Sequence, residues 1–185
     1  MEKGCFQGTI LNLIRFKDNQ LSYFPDFCSV NATLKTLTLG NNQISSVSEK
    51  DISCLKILET LGLNGNPMLF LPDVSQLFPS LVTLSVRRIQ FTCCAAIAWM
   101  KDIDIVNIDD APCNWPPSLN GTDWSTISNG TLRGLSCGEY WILAQGLYIT
   151  CYNISTSSDT SVTLTNKTRY PLFHLWINEV TGTKN

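Results

Sequence analysis

The stretch "LKTLTLGNNQI", residues 34–44, places Leu34, Leu37, Leu39 and Ile44 at positions one, four, six and eleven, with Asn42 at nine. The same spelling recurs in "LNLIRFKDNQL" (11–21), "LETLGLNGNPM" (58–68) and "LVTLSVRRIQF" (81–91), so the four copies start at Leu11, Leu34, Leu58 and Leu81. All four are apolar at one, four, six and eleven, and three carry Asn at nine: Asn19, Asn42 and Asn66. Self-similarity at so long and even a period, with an in-register asparagine, is not helical; it marks stacked coils of chain. Positions four and six alternate with their neighbours as in a short strand, so they point inward while the residues between them face out. One coil cannot bury its apolar side alone, and stacking has to build the core. The amide at position nine is suited to satisfy backbone groups of its own and the next coil, which would otherwise be buried unpaired.

These segments resemble the leucine-rich repeat pattern L-x-x-L-x-L-x-x-N-x-L. The resemblance implies an α/β solenoid, a right-handed horseshoe with a parallel β-sheet on its concave face and strands near 11–16, 34–39, 58–63 and 81–86. The return segments agree: "FPDF" (24–27) and "LPDV" (71–74) leave the core with a proline, and "SEKDISCLKIL" (48–58) suits a helical turn capped by Ser48. Cys5 precedes Cys28 by one full repeat, as Leu11 precedes Leu34, so positions 1–10 read as the back half of a coil whose strand is missing. Such an end is expected to expose Leu11, Ile14 and Phe16, and to be preceded by further repeats or a cap. Cys28 can reach either Cys5 or Cys54 on a neighbouring coil, and spacing does not choose between them.

The fourth repeat has Ile89 at position nine, and "FTCCAAIAWMK" (91–101) follows. Structural zinc favours C-x₂₋₄-C pairs and redox pairs favour C-x-x-C; adjacent Cys93 and Cys94 fit neither. With "APCNWPPSLNGTDWSTISNGTLRGLSC" (111–137), the stretch resembles the C-terminal cysteine-rich cap of extracellular leucine-rich repeat proteins. It has paired cysteines, a helix with Trp99 over Ala95–Lys101, then Cys113, Pro117, Leu119, Gly121 and a closing Cys137. By that resemblance Cys93 pairs with Cys113 and Cys94 with Cys137. The family's usual spacing is C-x-C. Here the spacer is missing, and neighbouring side chains on an extended chain point oppositely, leaving both partners within reach. The organisation expected is repeats over 1–91, the cap over 92–137 and a glycosylated tail over 138–185.

Composition narrows the setting. The chain has 185 residues, 44% of them hydrophobic, a formal net charge of −2 and eight cysteines. That balance gives no electrostatic case for nucleic acid. No apolar run reaches the ~18 residues a membrane-spanning helix needs. Sequons at Asn31, Asn120, Asn129, Asn153 and Asn166, together with the cysteines, point to an extracellular or cell-surface location. "MEKGCFQGTI" has no apolar leader, which is consistent with a piece of a longer, membrane-anchored or secreted protein. In the tail, Cys151 has Cys5 or Cys54 as arithmetic partners, and "YPLFHLWI" (170–177) is apolar enough to pack.

No catalytic constellation stands out. His174 is the single histidine and sits in an apolar context, Asp109 and Asp110 are neighbours that diverge, and neither phosphate-loop nor nucleophile-elbow motifs occur. The expectation is a non-enzymatic module without cofactor or metal that binds a protein or peptide ligand on the concave sheet. Candidate contact residues are Arg15, Lys17, Lys35, Thr36, Thr38, Glu59, Thr60, Asn64, Thr83, Ser85 and Arg87, mildly basic as a set and therefore suited to an acidic partner. A structural or matrix spacer is the alternative, and an intracellular scaffold with reduced thiols is a further one.

Overall fold

The computed structural model describes residues 5–137. Four short strands, β1 (Leu13–Arg15), β2 (Thr36–Thr38), β3 (Thr60–Gly62) and β4 (Thr83–Ser85), pair in parallel, one from each repeat. Each lies inside its expected span. The register follows the repeat: Ile14, Leu37, Leu61 and Leu84 align as one inward row. Leu39, Leu63 and Val86 form a second inward row, and all three are fully buried. Each of these side chains contributes roughly 1.5–3 kcal/mol by leaving water, and the next coil supplies the cover.

A fifth strand completes the sheet. After β5 (Phe91–Thr92), the strand β6 (Val106–Asn107) joins β4 in parallel, with Leu84 opposite Val106. The Leu84 and Val86 N–H groups donate to Ile105 O and Asn107 O, both at 2.9 Å. Segment 92–137 is thus not separate from the repeat sheet. The strand arises in "DIDIVNID", which has the alternation of a repeat without its leucines, and Ala111 stands where position nine would carry asparagine.

The asparagines correct the sequence reading in direction. Asn42 Oδ1 accepts from Leu21 N at 3.0 Å, and its Nδ2 donates to Phe16 O and Leu39 O at 2.8 Å. Asn66 repeats this one coil on, accepting from Ile44 N at 3.0 Å and donating to Leu39 O at 3.0 Å and Leu63 O at 2.7 Å. Each amide therefore bridges back to the preceding coil, not forward to the next. Asn19, with no preceding strand among the described residues, is exposed and donates only to Lys17 O at 3.0 Å.

The amino-terminal end also differs from expectation. Ile14 is 4% exposed, and Leu11 and Phe16 are half-buried. Phe6 stacks at this end, its ring 6.1 Å from that of Phe16 and 5.6 Å from that of Phe27. Ile10 and Leu13 remain open to solvent.

On the return side, α1 (Glu49–Ile52) begins at Ser48 with a reciprocal cap. Ser48 N donates to Asp51 Oδ2 at 2.9 Å while Ser48 Oγ accepts from Asp51 N at 3.4 Å. Ile52 is buried. Cys28 is bonded to Cys54, joining the return segments of the first two coils, and Cys5 is exposed with no disulfide partner among the described residues.

Past the repeats, β5 pairs in parallel with β7 (Cys113–Trp115). Disulfides join Cys93 to Cys113 and Cys94 to Cys137. Ala95–Lys101 is helical but of 3₁₀ type, a tighter form than the helix expected. It buries Ile97, Ala98, Trp99 and Met100, and α2 (Asn129–Gly134) packs against it through Leu132. Trp99 Nε1 is buried with no hydrogen-bond partner among the described residues. Lys101 lies over the Trp124 ring, 4.2 Å from its centroid, and donates to Trp124 O.

Candidate functional site

Parallel pairing in register turns the outward residues of successive coils into straight rows. The first row is Leu13, Thr36, Thr60 and Thr83; the second is Arg15, Thr38, Gly62, Ser85 and Asn107. Both are built mostly from short polar side chains, a composition β-strands accept through Thr. The result is a low, continuous polar face five strands wide. At its centre, Gly62 leaves room into which Thr38 leans: a methyl added there would come within 3.3 Å of Thr38 Cγ2.

Longer side chains flank this face, and most of their charges are paired. Lys35 Nζ lies 2.7 Å from Glu59 Oε1, and Lys17 Nζ lies 3.8 Å from Asp18 Oδ2. Arg87 Nε lies 3.1 Å from Asp109 Oδ1. The four cations that sequence marked as a basic surface are therefore mostly met by carboxylates of the same surface. Arg15 is the one without such a partner among the described residues. For Lys35 and Arg87, sequence reasoning missed this because the carboxylate comes from the adjacent coil.

Arg88 was also missed. Position eight of every coil takes a left-handed backbone: Asp18 at φ 60°, Asn41 at 54°, Gly65 at 63° and Arg88 at 56°. Asp, Asn and Gly tolerate that conformation; an arginine there is uncommon. The Arg88 guanidinium Nη2 donates to Asn41 Oδ1 at 2.7 Å, and the Arg88 backbone N–H donates to Asp109 Oδ2. Asn64, Arg87, Arg88 and Asp109 line a recess of about 300 Å³ at the edge of the outward face.

A second recess, about 580 Å³, lies on the return side between Asp73, Ser75 and Gln76 and the 3₁₀ helix, with Arg133 and Asp102 at its rim. Its rim is tied up internally, since Arg133 Nη2 sits 2.7 Å from Asp102 Oδ2 and Asn129 also donates to Asp102.

The described sequons lie off the sheet. Asn31 follows the 3₁₀ turn Cys28–Val30 and Asn120 follows the turn Pro117–Leu119, both exposed; Asn129 opens α2 and is half-buried. Asn153, Asn166, Cys151, His174 and the tail from 138 lie outside the described residues. No group of three or more metal-ligating side chains forms among the described residues, and six of their seven cysteines are in disulfides.

Solved structures share this arrangement. The chain is similar to a chain in the octameric complex of Latrophilin 3 (Lec, Olf), Unc5D (Ig, Ig2, TSP1) and FLRT2 (LRR), with a TM-score of 0.57 and 22% identity. That match covers 68% of this chain and 40% of the other. It is also similar to human 5T4 (Wnt-activated inhibitory factor 1, trophoblast glycoprotein), with a TM-score of 0.51, 22% identity, and coverage of 69% and 47%. The fold is that of a leucine-rich repeat solenoid with a parallel sheet and disulfides. This chain spans less than half the length of either neighbour. No protein-family model matches it, and no curated protein matches it by sequence.

Proposed function

We propose that the chain is a non-enzymatic, protein-binding leucine-rich repeat module of the cell surface or extracellular space. Its horseshoe presents the outward sheet face as the concave ligand surface, and residues 92–137 serve as its C-terminal cysteine-rich cap. One observation carries this reading: the outward rows run in register across four and five strands, mostly short-sided and free of sequons. A partner can approach such a face closely. The disulfides support an oxidising compartment. The solved neighbours, one from an octameric complex of three different proteins and one a trophoblast glycoprotein, support a role in protein binding, here read as adhesion or reception.

A second reading, a structural spacer, draws on the internal pairing of Lys35 with Glu59 and Arg87 with Asp109, which leaves that face largely self-satisfied. The two separate in a binding screen against a panel of extracellular ectodomains. The binding reading expects Thr60→Arg, which plants a long side chain mid-face, to weaken partner capture at least tenfold while Ser29→Arg on the return side does not. Equal capture by both variants moves the ligand elsewhere. No capture by the wild-type chain, with glycans mapped close to the sheet, favours the spacer.

A further inference from the structure

The recess beside Arg88 has a one-sided hydrogen-bond balance. Its acceptors are engaged. Asn64 Oδ1 accepts from Arg87 N at 2.7 Å and from Ser85 Oγ at 2.9 Å. Asp109 Oδ1 accepts from Arg87 Nε, and Asp109 Oδ2 accepts from Arg88 N. Its donors are not. Asn64 Nδ2 has no acceptor among the described residues. Arg87 uses only Nε of its side chain, and Arg88 uses only Nη2, on the neutral amide of Asn41. No carboxylate pairs with the Arg88 guanidinium among the described residues.

The backbone adds a second, independent observation. Arg88 occupies the one left-handed position of its coil, where the other three coils use Asp, Asn or Gly. Left-handed backbone in a long side chain is strained, and strain of this kind collects at working sites. The path of the guanidinium is kept open by Gly65. A Cβ there would sit 2.5 Å from Asn41 Oδ1 and 3.7 Å from Arg88 Nη2.

We propose that Asn64, Arg87 and Arg88 form a carboxylate subsite that takes an acidic side chain of a protein partner. A carboxylate accepts from several donors at once and matches the guanidinium fork. The charge also fits: two guanidinium groups against Asp109 leave one net positive charge, enough for one carboxylate and little for a multiply sulfated or phosphorylated chain. The volume of about 300 Å³ admits a side chain and not a folded element. That the acid belongs to a protein rests on the binding reading above; the carboxylate preference does not.

The test is NMR titration of the full, ¹⁵N-labelled chain with the capped peptides Ac-Gly-Glu-Gly-NH₂ and Ac-Gly-Gln-Gly-NH₂ and with inorganic sulfate. The expected result is a saturable shift of the Asn64 side-chain amide and the Arg88 Nε–H signals with the Glu peptide, at least tenfold weaker with the Gln peptide. Arg88→Asn keeps a residue suited to left-handed backbone and removes the guanidinium. It should retain the folded amide spectrum and lose the response. Equal response to the two peptides, no response to either, an unaltered response in Arg88→Asn, or tighter binding of sulfate would each overturn the subsite. Thr60→Arg leaves this titration unchanged, so failure of the subsite and failure of the sheet-face reading are read separately.

Discussion

Arg88 reaches back over an intervening coil to Asn41, and its guanidinium meets the Asn41 carboxamide at 2.7 Å. Gly65, between them, holds φ 63° and no side chain. Gly65→Ala is therefore expected to be destabilising twice over. The left-handed backbone costs about 1–2 kcal/mol for a residue with a Cβ, and that Cβ would fall 2.5 Å from Asn41 Oδ1. Urea unfolding should show a lowered midpoint with little change in slope, and the Arg88–Asn41 contact should be lost from side-chain NMR signals. An unshifted midpoint would mean the packing of Gly65 against Asn41 and Arg88 has slack that its geometry does not show.

The asparagine bridges run backward, which separates residues that the sequence makes look equivalent. Asn42 satisfies Leu21 N, Phe16 O and Leu39 O, whereas Asn19 contacts only Lys17 O. Asn42→Ala should cost about 1–3 kcal/mol through the buried groups left unpaired. Asn19→Ala should stay within about 0.5 kcal/mol, as surface changes do. Equal losses in parallel denaturation curves would contradict the direction of the ladder.

The contrast between Asn19 and Asn42 also shows where sequence stops being legible. The repeat is readable because its even period fixes the inward rows, and Ile14, Leu37, Leu61 and Leu84 fall into register as that period requires. A ladder's direction depends on how one coil is offset from the next, which a period does not encode. Strand β6 escaped because Val106 follows Leu84 at about one repeat's distance in a segment without leucine, and only the "IDIVNI" alternation marks it. Phe6 escaped for another reason: its stacking on Phe16 and Phe27 is a single, non-repeating contact. The candidate face was legible as positions, but its charge was not. Glu59 and Asp109 meet Lys35 and Arg87 only in the folded chain, from the adjacent coil.

The disulfides should yield to reductant in order of burial. Cys93 and Cys113 are at most 1% exposed, while Cys28 and Cys54 are half-buried. Thiol–disulfide exchange needs access of a thiolate to sulfur. Brief treatment with a small thiol, followed by alkylation and peptide mapping, should label Cys28 and Cys54 well before Cys93 and Cys113. Cys5, exposed and without a disulfide partner among the described residues, should be labelled without reductant. Early labelling of Cys93 would mean that the junction of β5 and β7 opens more readily than the repeat core.

Lys101 and Asp123 give separate pH dependences, one on the acid side and one on the alkaline side. The backbone N–H of Ser125 donates to Asp123 Oδ1 at 2.8 Å, and this, with a side-chain hydrogen bond from Ser125 and then the Lys101 charge, holds the Asp123 pKa below its ordinary value. The folded state then favours the carboxylate, so its contribution is complete above the ordinary value and is lost as pH falls through the depressed one. Burial lowers the pKa of Lys101, with the Asp123 charge opposing it. In the window between the lowered and the ordinary lysine value the unfolded chain binds more protons. This residue's share of stability therefore rises with pH across that window. Asp123→Asn should flatten the acid limb of a stability–pH curve measured by urea midpoints. Lys101→Met, which keeps an apolar stem against Trp124, should flatten the alkaline rise. A Lys101→Met curve parallel to wild type above neutral pH would show that the ammonium over the Trp124 ring is well hydrated and that its burial carries no penalty.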